Sequence, residues 1–179
     1  MRFDRTELCD AWLIEPEPAH DERGFFARTF CVREFADHGL TAIFVQHSTS
    51  QSKARGTLRG MHFQRAPHTE VKLVRCLKGS IWDVIIDLRP DSPTYRRWQG
   101  FELTAGNHRQ LYVPEGFAHG FQSLSSHAEV GYLISAFYAS AAASGVRHDD
   151  PAFAIDWPLP VTAMSEKDRT WPDFVDSPA

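Results

Sequence analysis

The hydrophobic pattern breaks the chain into short apolar runs separated by turn residues. The plainest run is SIWDVIIDL, Ser80 to Leu88, rich in β-branched and aromatic residues and preceded by the turn pair Lys78-Gly79. VKLVRCL, QLYVP and EVGYLISAFY repeat this pattern, with Gly, Pro, Asn and Ser between them. REFADHGL, Arg33 to Leu40, predicts a short helix with apolar Phe35 and Leu40, stopped at Gly39. The tail from Pro158 to Ala179 carries Pro158, Pro160, Pro172 and Pro178 and is expected to be extended or loop-like. No internal repeat, low-complexity tract or linker interrupts the series. Many short strands at turn-punctuated spacing predict an all-β fold, an antiparallel sandwich or barrel of the jelly-roll kind.

Composition narrows the class. A chain of 179 residues suits one domain, 1–179, with a sizeable core. Its 42% hydrophobic and 12% aromatic content is that of a globular protein. A formal net charge of −4 provides no basic footprint, so no nucleic-acid partner is expected. The stretch MRFDRTELCDAWLIEPEP is charged throughout and has no apolar run of signal-peptide or membrane-span length. Cys9, Cys31 and Cys76 are odd in number, widely spaced and form no CxxC, which argues against a disulfide scaffold or thiolate zinc site. The expectation is a cytoplasmic protein with no membrane association.

The candidate chemistry lies in two glycine-punctuated motifs, GTLRGMHFQ (Gly56 to Gln64) and VPEGFAHGF (Val113 to Phe121). The Pro-x-Gly-x-x-His spacing of Pro114, Gly116 and His119 matches the second motif of cupin barrels. In metal cupins the first motif supplies His-x-His and then a glutamate. Here Gln64 stands two residues after His62, and a neutral amide is a poor transition-metal ligand. Glu70 or His68 could substitute, but no spacing requires it. A catalytic metal normally takes about three protein ligands, so no metal is expected.

The motif series resembles the dTDP-4-dehydrorhamnose 3,5-epimerase family, a metal-free branch of the cupins. DERGFF, GTLRGMHFQ, VKLVRCLKGSIWDVIIDLRPDSPTY, VPEGFAHGF, VGYLISAFY, DDPAFAIDWP and SEKD occur in the family's order along almost the whole chain. The resemblance implies a cupin-type jelly roll with a few short peripheral helices, its core over about 40–140 and the tail 158–179 folding back over the barrel mouth. It also implies a substrate, a nucleotide-linked 4-keto-6-deoxyhexose, whose ketone acidifies the hydrogens on carbons 3 and 5. Epimerisation then needs a base, an acid on the other face of the ring, and a cation or hydrogen-bond donor near the enolate oxygen, with no cofactor.

By the same resemblance His62 is the base, oriented by Asp168 of SEKD. Tyr132 is the acid, since an unperturbed phenol of pKa about 10 is protonated at neutral pH. Lys72 is the cation beside the carbonyl, and His119, supported by Asp83, completes the polar lining. Arg23 and Arg59 match the family's phosphate and substrate arginines, whose planar forks suit a diphosphate. Gln46, Phe26, Tyr138 and Lys167 match further substrate-contacting positions. A homodimer formed by exchange of N-terminal strands is implied, with Arg23 or Arg28 serving the neighbour's pocket. His20, His38, His68 and His127 carry no motif.

Four positions depart from the family pattern. Ser48 replaces an asparagine, Arg28 and Ala143 replace glutamates, and His148 replaces a tryptophan. All four are expected at the nucleotide or sugar periphery, leaving the proton chemistry intact. The competing reading is a non-catalytic sugar-binding module or a metal-dependent cupin.

Overall fold

The computed structural model describes residues 1–175; Pro178, the last tail proline, lies outside the described residues. The strands are β1 (Arg2–Arg5), β2 (Trp12–Glu15), β3 (Ala19–Asp21) and β4 (Gly24–Phe26). Helix α1 (Val32–Asp37) is followed by β5 (Gln46–Ser52), β6 (Leu58–Gln64), β7 (Lys72–Lys78), β8 (Ser80–Asp87) and β9 (Trp98–Thr104). Then come β10 (Gln110–Val113), β11 (Phe117–Ser123), β12 (Ala128–Ile134), β13 (Ala143–Gly145) and helix α2 (Glu166–Arg169).

These strands build a cupin-type jelly-roll sandwich of two antiparallel sheets. One is six-stranded, in the order β1-β2-β10-β7-β12-β5; the other is five-stranded, in the order β13-β6-β11-β8-β9. Strands β3 and β4 form a separate hairpin. Side-chain alternation explains how the core forms. On β8, Ile81 and Ile85 face the opposite sheet and pack with Val74, Leu111, Val113, Phe117, Phe121 and Val130. Val84 and Ile86 point the other way into a second cluster with Met61, Ala118, Val146 and Phe153. A strand buried on both faces reads as a continuous apolar run, which is why Ser80 to Leu88 was so legible.

Two regions differ from the sequence expectation. The helix begins one residue earlier than Arg33 and ends at Asp37, where the N–H groups of His38 and Gly39 bond back to Phe35 and Ala36. Gly39 takes a left-handed φ of 71°, which glycine adopts without a Cβ penalty. The tail is not wholly loop-like, because α2 forms one turn within it. Ser165 caps that turn by accepting the Asp168 N–H at 3.1 Å. Proline density alone missed it, since Ser165 to Arg169 lies between Pro160 and Pro172.

The tail is also anchored to the sheet. Ala163 bridges Thr57, and the Leu58 N–H bonds to the Ala163 carbonyl at 2.9 Å. This lays α2 against β6. Strands β6 and β11 meet unusually closely at two glycines. A Cβ on Gly60 would lie 2.5 Å from Gly120 Cα, and one on Gly120 would lie 2.7 Å from the Arg59 carbonyl. The glycines of GTLRGMHFQ and VPEGFAHGF therefore permit the strand contact that brings His62 opposite His119.

Candidate active site

A cavity of about 480 Å³ opens between the sheets, lined from β5, β6, β7, β11, β12, β13 and α2. Nine of the expected residues line it: Gln46, Arg59, His62, Lys72, His119, Tyr132, Tyr138, Lys167 and Asp168. His62, Arg59 and His119 project from the five-stranded sheet, whereas Lys72, Tyr132 and Gln46 belong to the six-stranded one. Acid–base groups thus face each other across the space.

The His62 Nε2 lies 2.6 Å from Asp168 Oδ1. The imidazole is 46% exposed, but the carboxylate only 6%, and Asp168 also accepts the Gly60 N–H at 3.4 Å. Burial pushes the Asp168 carboxyl upward, yet the His62 hydrogen bond and charge outweigh it and hold the group below its ordinary range. An ionised Asp168 accepts the Nε2–H, which leaves the Nδ1 lone pair of His62 free for chemistry.

The second histidine is held differently. His119 Nε2 lies 2.9 Å from Asp83 Oδ1, with side-chain exposures of 6% and 0%. Asp83 sits between Ile81 and Ile85 on β8, and its other oxygen has no hydrogen-bond partner among the described residues. It supports the lining from behind His119 and does not itself reach the cavity.

The Tyr132 ring packs against the core, and its hydroxyl lies 3.0 Å from Ser50 Oγ. Burial, above all, raises its pKa well beyond the ordinary phenol value, so the group is neutral and carries a proton. Lys72 is buried, paired with Glu70 Oε1 at 3.0 Å, and donates to the His62 carbonyl at 3.3 Å. Gln64 donates to Glu70 Oε2 at 3.0 Å and accepts the Ala139 N–H at 2.7 Å. Arg59 is held by Ser52 Oγ at 3.2 Å and the Gln51 carbonyl at 2.8 Å. Gln46 accepts the Tyr138 N–H at 2.9 Å, and Lys167 lies 5.2 Å above the Trp171 ring.

Besides Asp83, three expected residues do not line this chain's cavity. Arg23 and Phe26 belong to the exposed β3–β4 hairpin, with the Arg23 guanidinium paired to Asp21 at 2.5 Å and Phe26 77% exposed. Arg28 follows the hairpin and pairs with Glu34 at 3.1 Å. The hairpin pairs with neither sheet, and its Phe25 packs on His108, outside the lining of the cavity. The four departures also divide. Ser48 and Ala143 line the cavity, whereas Arg28 and His148 do not. His148 packs with its carbonyl accepting Trp157 Nε1–H at 2.9 Å, and burial lowers its pKa.

Sequence reasoning missed Ser50, Ser144 and Ser165 in the lining and considered Glu70 only as a metal ligand. The alternation of Gln46, Ser48, Ser50 and Ser52 along one strand was the signal available for Ser50. For the pair of Glu70 with Lys72, the two-residue spacing was the signal available. Among the described residues, no group of three or more His, Cys, Asp or Glu converges as a metal site, because Gln64 occupies the place of a ligand.

The fold and lining define a cupin-type jelly roll whose cavity carries acid–base groups on two facing sheets. The profile of dTDP-4-dehydrorhamnose 3,5-epimerase matches residues 5–176. The dTDP-4-dehydrorhamnose 3,5-epimerase of Methanothermobacter thermautotrophicus is 46% identical over 181 residues, covering 99% of this chain and 97% of its own. The crystal structure of the Bacillus anthracis enzyme of that name, with TDP and PPi bound, is 43% identical with a TM-score of 0.94, covering 97% and 99% of the two chains. NovW, a 4-keto-6-deoxy sugar epimerase from the novobiocin gene cluster of Streptomyces spheroides, is 37% identical with a TM-score of 0.92, covering 97% and 88%. The chain belongs to the dTDP-4-dehydrorhamnose 3,5-epimerase family and is an isomerase.

Proposed function

We propose that this protein epimerises a dTDP-linked 4-keto-6-deoxyhexose at carbon 3, carbon 5 or both, without a cofactor, in deoxysugar biosynthesis of the dTDP-rhamnose type. The observation that carries the reading is the pairing of a carboxylate-bound imidazole on one sheet with a protonated, buried phenol on the other. His62 Nδ1 removes the proton next to the ketone while Asp168 stabilises the imidazolium. The negative charge moves to the ketone oxygen, where the Lys72 ammonium stabilises the enolate. Tyr132 returns a proton from the opposite face and so inverts the centre. Arg59 and Lys167 supply charge for the diphosphate, with His119, Gln46 and Tyr138 completing the contacts to the sugar nucleotide.

Arg23, Phe26 and Arg28 fit this scheme as contributions to a second copy's cavity in a homodimer built by exchange of N-terminal strands. Their exposure and distance from this chain's cavity favour that role. Among the described residues no helix is long and apolar enough to cross a membrane, and we assign the protein to the cytoplasm.

Incubation with dTDP-4-keto-6-deoxyglucose in deuterated water, followed by NMR, tests the assignment. Deuterium at carbon 3, carbon 5 or both is expected, with formation of inverted product. Absence of exchange at both carbons would remove this sugar nucleotide as the substrate.

A further inference from the structure

A buried phenol that gives up its proton leaves a buried phenolate. When Tyr132 reprotonates the enolate, a C–H bond forms from the enolate electron pair and the ketone is restored. The O–H bond breaks with its electron pair left on the phenol oxygen. Burial opposes that anion most strongly, and the charge of Asp83 adds to the opposition; Ser50 and the charge of Arg59 favour it. The groups facing Tyr132 from neighbouring strands are Arg59 of β6, Asp83 of β8 and the His119 ring of β11, whose centroid is 6.3 Å away. Only one hydrogen bond reaches the phenol oxygen among the described residues, and it joins Ser50 Oγ at 3.0 Å.

The strand that carries Ser50 is unusual for its position. Strand β5 is the edge of the six-stranded sheet, and Gln46, Ser48, Ser50 and Ser52 share one face by alternation. A strand face turned toward a sandwich interior ordinarily carries β-branched or aromatic residues. This one carries hydrogen-bonding side chains throughout, and three of them line the cavity. Register explains the contact. Tyr132 pairs with Ser48 and Val130 with Ser50, so Ser50 reaches the phenol diagonally. Two residues further along, Ser52 holds Arg59, so the strand also fixes a cation whose charge favours the phenolate.

We propose that Ser50 is a positioning residue for proton return: its hydroxyl donates to the Tyr132 oxygen, directing the phenolic O–H into the cavity, and holds that bond as the oxygen becomes anionic. A hydrogen bond to a developing charge strengthens as the charge forms, so its effect falls on the transition state of reprotonation. The inference rests on Tyr132 acting as the acid.

The first test needs no substrate. With 3,5-difluorotyrosine placed at position 132, ionisation moves into an accessible range and is followed by ¹⁹F NMR. Ser50→Ala should raise that ionisation by roughly one to two pH units, the equivalent of a lost hydrogen bond to a charged group. Ser50→Thr, which keeps the hydroxyl and suits a strand, should restore it. An unchanged ionisation in Ser50→Ala overturns the proposal. In turnover, Ser50→Ala should lose about tenfold to a hundredfold in inversion while exchange of substrate hydrogen falls much less. Equal loss of exchange and inversion also overturns it. If Tyr132→Phe inverts substrate normally, the acid assignment fails, while the ionisation difference still reports on the Ser50 contact.

Discussion

The cavity holds two histidine–aspartate pairs, and they differ in how they are built. His119 and Asp83 sit on adjacent strands of one sheet, both almost fully buried. His62 also sits on that sheet, but its partner Asp168 is 106 residues away, on a single helical turn of the tail. In the first pair Asp83 is wholly buried, and His119 shows only 6% of its side chain at the cavity wall. The second leaves its imidazole half open to the cavity, with a carboxylate held below its ordinary range behind it. A base must meet substrate and also exchange its proton with solvent, and only the second pair satisfies both. Both imidazoles turn Nε2 to their carboxylate, so the difference teaches that one motif of two residues serves for packing or for chemistry according to how far the rest of the imidazole is open.

The largest effect should come from removing the open imidazole. His62→Asn should reduce solvent deuterium exchange toward the upper end of the roughly hundredfold to ten-thousandfold range of a general base, with the fold and nucleotide affinity retained. Near-normal exchange would exclude His62 from the mechanism and erase the contrast between the pairs. Tyr132→Phe should follow, with inversion reduced by about a hundredfold or more while abstraction by His62 still exchanges substrate hydrogen. Full inversion in this variant would show that another group is the acid.

The carboxylates sharpen the comparison. Asp168→Asn should lose less activity than His62→Asn, because an imidazole remains but its tautomer and charge are no longer supported. Its stability should respond to acid in a defined direction. The folded-state pKa of Asp168 lies below the ordinary 3.8, so its stabilising contribution is complete above that value and is lost as pH falls through the lower folded value. The stability advantage of the parent over Asp168→Asn should therefore shrink below about pH 4 in urea titrations. A gap that widens in acid would contradict the assignment.

Asp83→Asn should show the reverse balance, costing about 1–3 kcal/mol of folding stability because the buried His119 contact is disturbed. A smaller loss in melting than in Asp168→Asn would mean that the sheet-built pair is not the structural one. The mildest change is Ser165→Ala, which removes the cap of the turn that carries Asp168. About 1 kcal/mol of local stability should be lost, with activity declining as the tail frays. Hydrogen exchange at residues 166–169 would report it directly.

Much of this was legible in the chain. Strand positions followed from apolar runs with turn residues between them, and the Gly39 stop followed from local backbone chemistry. His62 and His119 stood out because glycines flank both, and those glycines proved to permit the close approach of β6 and β11. The tail turn was hidden because four residues between prolines carry too weak a periodic signal. Arg23 and Phe26 were legible as a motif, and Arg28 as a departure just after it, but none as a location, since a hairpin's sequence does not say which cavity it faces.

Local pattern thus determined the elements, their exposed and buried faces, and the residue types available for proton transfer. Those properties depend on neighbours a few positions apart, where alternation and turn chemistry act. Only the tertiary structure decided that Ser50 reaches Tyr132 across a strand pair, and it set the 2.6 Å contact of Asp168 with His62 that the resemblance could only imply. A hydrogen bond depends on tenths of an ångström and on shielding from water. Those conditions arise only when distant segments pack together, and no spacing along the chain encodes them.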